Sequence, residues 1–86
     1  MPRISAFYGI VIAMFYGDHE PAHFHATYAE FRAVIGVNPV WTVEGFLPPR
    51  ALTMVYEWAA AHQIELQEDW VRARERRPLL QIAPLV

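Results

Sequence analysis

The chain has 86 residues and a formal net charge of −2, with 55% hydrophobic and 19% charged side chains. That length specifies one domain, residues 1–86, near the size at which a single apolar core just offsets conformational entropy. The charge lacks the basic footprint of a dedicated DNA-binding module, and the absence of cysteine excludes a disulfide framework, a thiolate metal site and a Cys nucleophile.

Residues 4–16 read as strand, with Ile10, Ile12, Met14 and Tyr16 on one side and Val11, Ala13 and Phe15 on the other. Both sides are apolar, which suits a central strand or one under an interface. Gly9 marks a bend or bulge after a short leading strand, Ile4 to Phe7. The run is broken by Ser5 and Gly9 and ends at Asp18, short of a membrane span, so no membrane partner is expected and the cytoplasm is the expected location. "GDHEP" then supplies turn chemistry.

"HFHATY" and "FRAVIG" pair as a hairpin around Ala29 and Glu30. Phe24 then faces Ile35, Ala26 faces Ala33 and Tyr28 faces Phe31 on an apolar side, with His23, His25, Thr27, Arg32 and Val34 on the other. Ala-Glu is poor chemistry for so tight a loop, which prefers residues at ease with φ > 0. A three-residue loop, Val37 to Pro39, leads into "VWTVEG"; it puts Trp41 and Val43 on the apolar side and Glu44 opposite Arg32.

Pro49 suits the first position of a helix whose buried stripe is Leu52, Val55, Tyr56 and Ala59, widened by Met54, Trp58 and Ala61. A second helix, roughly 63–77, starts at or near a kink at His62. It carries Glu65, Glu68 and Asp69 early and Arg72, Arg74, Arg76 and Arg77 late, as a helix dipole favours, and buries Leu66, Trp70 and Ala73. Pro78 ends it, and "LLQIAPLV" docks as a strand or cap. Trp41, Trp58, Trp70 and Phe24 read as core. The expected fold is α+β: an antiparallel meander of about four strands followed by two C-terminal helices, or one kinked helix, on one face.

Three of the four histidines fall within "HEPAHFH". His23 and His25, two apart on a strand, point the same way and can converge on one cation, with His19 or Asp18 from the turn as a third ligand; the metal set is taken as His19, His23 and His25. A zinc-like divalent cation is the cofactor such ligands would take. A metal-free reading uses His23, His25, Arg32 and Glu44 as acid, base and phosphate anchor for cleaving RNA. The plain alternative is a solvated sheet face, with turn-capping histidines and an Arg32–Glu44 cross-strand salt bridge. No Walker A, G-x-G-x-x-G, H-E-x-x-H or nucleophile-elbow pattern occurs, so no nucleotide cofactor is expected. The apolar excess points to a protein partner or a second copy of the chain, and RNA is a further candidate partner through the late arginines.

"PRIS-x-FYGI", "DH-x-P-x-HFHA", "EGFLPPRAL", "EWAAAH" and "PLLQIAPL" together resemble a family of small bacterial proteins, the domain of unknown function DUF4160, nearly end to end. The resemblance implies a member of a two-gene module similar to a toxin–antitoxin pair, working through the product of a neighbouring gene. The matching positions are Asp18, His19, Pro21, His23, Phe24 and His25, then Gly45, Leu47, Pro48 and Arg50, with Arg50 taken as a binding residue. Ala29 departs from the glycine common in similar sequences.

Overall fold

The computed structural model describes residues 2–86. Seven elements follow one another: β1 (Arg3–Phe7), β2 (Ile10–Ala13), β3 (His23–Tyr28), β4 (Phe31–Gly36), β5 (Thr42–Phe46), α1 (Pro49–Ala61) and α2 (Gln63–Arg74). The strands form one antiparallel sheet in chain order, and the fold is α+β with the helices last. The sheet has five strands rather than four because the leading segment folds fully back on its neighbour. Tyr8 and Gly9 take φ of 49° and 80°, and that pair of left-handed residues closes a two-residue hairpin whose twist matches the flanking strands.

The β3–β4 hairpin has the register that alternation predicts: Phe24 opposite Ile35, Ala26 opposite Ala33, Tyr28 opposite Phe31. Ala29 adopts φ of 52° in its loop, so burial of the apolar face outweighs the turn preference of the residue.

The β4–β5 pairing differs from expectation. Glu44 lies opposite Val34, Phe46 opposite Arg32, and the register shifts between Val34 and Ile35. Val43 is the extra residue of a bulge, which a fixed two-residue period cannot anticipate. The slip leaves Trp41 and Val43 exposed instead of buried, with Trp41 half-exposed at 49% and its indole lying against Gly36. Gly45 makes the tight pairing feasible. Its φ is +85°, and a Cβ there would lie 2.5 Å from the carbonyl oxygen of Arg32.

One face of the sheet forms the core with the helices. Ile10, Ile12, Phe24 and Ile35 meet Val55, Trp58, Leu66 and Trp70, all buried. The Phe24 and Trp58 rings pack edge-on at 5.8 Å between centroids. Burying a side chain of this size contributes about 1.5–3 kcal/mol each, which is how a short chain offsets its entropy. The α1–α2 break falls at His62, as the charge order predicts, and Gln63 Nε2–H donates to Val37 O across 2.8 Å. Ala61 is exposed and does not widen the buried stripe. Asp69 is 1% exposed, so it is a buried acid and not merely one of the early charges of the helix.

The C-terminal segment docks along the free edge of β1. Ile82 N–H donates to Ile4 O (2.8 Å), Gln81 Nε2–H to Arg3 O (2.7 Å), and Trp58 Nε1–H to Ala83 O (2.8 Å). Among the described residues, no helix is long and apolar enough to cross a membrane.

A candidate metal centre on the open face of the sheet

The period of two that aims Phe24 and Ala26 at the helices aims His23 and His25 the other way. The loop before β3 then brings a carboxylate to them. Asp18 Oδ1 accepts the backbone N–H of His19 (3.0 Å), which folds the side chain back over the turn and leaves Oδ2 between the two rings. Oδ2 lies 2.9 Å from His23 Nε2 and 3.4 Å from His25 Nε2.

Helix α2 holds the loop in place. Gly17 N–H donates to Ala73 O (3.3 Å), Glu20 pairs with Arg74, and the Trp70 ring stands 5.1 Å from that of His23. The remaining arginines of this helix end are also engaged within the protein: Arg72 with Glu68, Arg77 with Glu75, and the Arg76 guanidinium against Gly17.

The hydrogen-bond arithmetic at His23 is informative. Its Nδ1 lies 2.8 Å from Pro21 O, and a carbonyl can only accept, so Nδ1 carries a proton. In the neutral ring Nε2 is then a lone pair, aimed at a carboxylate oxygen that also has only lone pairs. A cation or a second proton between them resolves the repulsion. The 2.9 Å between the two atoms leaves no room for a water between them. A backbone carbonyl that fixes the far nitrogen of a histidine is a usual support for a metal-ligating ring.

Electrostatics prepares the other two groups. Burial alone would raise the Asp18 pKa, but the His19 N–H and the two imidazoles outweigh it and hold the carboxyl below its ordinary value. Burial pushes His25 below the usual imidazole value against the opposing Asp18 hydrogen bond, and the charge on Arg32 acts with burial. An ionised carboxylate beside a neutral imidazole is the protonation state a metal requires.

The ligand atoms of Asp18, His23 and His25 all lie within 4.8 Å of one another. The two Oδ2–Nε2 distances bracket the roughly 3.3 Å that separates two ligands of a tetrahedral zinc ion. The three residues border a cavity of about 240 Å³ that Pro21, Val34, Val43, Glu44 and His19 also line, and a cation held by three protein ligands would keep room for water or substrate.

His19 is not brought into the group: its side chain is 88% exposed and its Nδ1 stands 3.8 Å from the far oxygen of Asp18. Asp18 takes the third position. Glu44 reaches this face through its pairing with Val34, whose other neighbour is His25, and it borders the cavity. Arg32 shares the face but, with Phe46 opposite it, makes no cross-strand pair with Glu44. Arg50 lies elsewhere, exposed in the first turn of α1. Sequence reasoning missed Trp70 and the Pro21 carbonyl as supports of His23. Neither carries a local signal, since one is a core-type residue in a distant helix and the other a backbone atom.

No curated protein and no solved structure matches the chain. A family model described as a domain of unknown function matches residues 9–71, a span that includes every residue of the centre and its cavity walls. The protein therefore belongs to the DUF4160 family.

Proposed function

We propose that this protein is a divalent-cation-dependent enzyme of the hydrolase type, with Asp18, His23 and His25 as the cation ligands. The observation that carries the reading is the single carboxylate oxygen set between two imidazole Nε2 atoms, one of which has its other nitrogen committed to Pro21 O. A divalent cation there would supply Lewis acidity and ease deprotonation of a water. Glu44, on the cavity wall, would accept that proton, and His23, with both nitrogens engaged, would serve as a fixed ligand. Elemental analysis of protein purified without chelators tests it. About one zinc or iron per chain, lost in Asp18→Ala, is the expected result; no metal retained and none bound on titration sinks the reading.

A second reading is favoured by a different observation. β5 is an edge strand, its outer side is unpaired, and Trp41, Val43 and Phe46 are exposed along it. Such an edge invites an added strand from a partner. The edge supports a protein partner, and in this second reading the partner is the neighbouring gene's product in a toxin–antitoxin-like two-gene module. Co-expression with that product, followed by hydrogen exchange, is expected to show new protection over residues 42–46. A complex that leaves this segment unprotected, or a persistent monomer, counts against it.

A further inference from the structure

Arg32 projects from β4 opposite Thr27, next to the His25–Val34 pair. Among the described residues the guanidiniums paired with carboxylates are those of Arg72, Arg74 and Arg77; Arg32 is exposed and has no such partner. It borders a cavity of about 160 Å³ whose other walls are Phe15, His25 and Thr27. That cavity offers a guanidinium fork, a hydroxyl and an aromatic ring, and no carboxylate. The Phe15 ring meets His25 edge-on, with 4.4 Å between centroids. His25 is the wall shared with the cation cavity on its other side.

Charge counting makes the two sites interdependent. On this face Asp18 and Glu44 carry negative charge against the single guanidinium of Arg32, and a divalent cation held by Asp18, His23 and His25 would add two positive charges beside the cavity that Arg32 borders. A carboxylate would spend both oxygens on the guanidinium fork, whereas a tetrahedral phosphoryl group keeps a further oxygen for the cation across His25.

We infer that the substrate of this centre carries a phosphoryl oxyanion, gripped by Arg32 in the cavity beside Phe15 and Thr27, and that it binds more tightly when the cation is present. The inference rests on the cation reading of Asp18, His23 and His25. Because linkage is reciprocal, the anion tightens the cation by the same factor as the cation tightens the anion.

The test titrates the protein with Co²⁺, followed by its visible absorption, alone and with phenylphosphonate or dimethyl phosphate. Co²⁺ affinity is expected to rise about 10-fold with at least one of these. A rise with phenylphosphonate alone identifies a terminal phosphoryl group, and a rise with both identifies an internal diester as well. Arg32→Gln is expected to lose the rise, measured against the variant's own Co²⁺ affinity without either compound, with Arg32→Lys restoring part of it. Co²⁺ binding that neither compound tightens, or an unchanged rise in Arg32→Gln, overturns this inference alone. Failure of the wild type to bind Co²⁺ overturns the cation reading and this inference together.

Discussion

One face of the sheet carries Phe24, Ala26, Ala33 and Ile35 beneath two helices. The other, a single residue out of phase on the same strands, carries His23, His25, Val34 and Glu44 around an open cavity. The first gains its order from buried area and is tolerant of which apolar residue fills it; the second depends on a few atoms held at set distances. The difference sets the buried core and the candidate site on separate sides of one backbone. Trp70 is the exception, since it is buried in the core and also supports the His23 ring.

The comparison can be broken from either side. The largest effect is expected on the helix side: Trp58→Ala removes a fully buried indole and its bond to Ala83 O, and should cost about 3–5 kcal/mol in urea unfolding. Asp18→Ala should do the reverse, weakening cation binding by more than about 100-fold, beyond the loss of an outer-shell partner, with a smaller stability cost of about 1–3 kcal/mol from the stranded His23 ring. Metal titration and denaturation on the same sample separate the two. Equal stability losses in these two variants would refute the division of labour.

Asp69 sharpens the comparison through pH. Burial raises its pKa above the ordinary 3.8, the Leu80 N–H and Arg72 oppose that, and Glu68 and Glu65 reinforce it; Oδ2 has no partner among the described residues. A carboxyl whose folded pKa is raised contributes stability that is full below the unfolded value and is lost as pH rises through the folded one. Asp69→Asn, which keeps an acceptor for Leu80, should therefore be at least as stable as wild type at pH 7 and show a shallower decline from pH 4 upward. A steeper decline in the variant would contradict the assignment. The smallest effect is expected from His19→Ala: the backbone N–H to Asp18 survives, so cation affinity should hold and stability should change by less than about 0.5 kcal/mol, read by the same titration.

Much of the fold is legible in the residues. Alternation in "HFHATY" and "FRAVIG" determines the β3–β4 register, because a one-residue slip would bury His25 and Arg32 and expose Phe24 and Ile35. Pro49 and the sign change of charge past His62 mark the two helices. The same alternation settles that His23 and His25 share the face away from the core. What it could not supply was Glu44's partner, Trp41's exposure or the choice between Asp18 and His19, and each has its own cause. A bulge at Val43 adds a residue that no periodic pattern counts, and it also takes Trp41 out of phase with the core. The turn at Asp18 is decided by one backbone hydrogen bond and by α2 gripping the loop from the far end of the chain. Local periodicity is written into consecutive residues by the geometry of the peptide, whereas convergence of a carboxylate, two imidazoles and a carbonyl depends on contacts between segments that only the folded chain brings together.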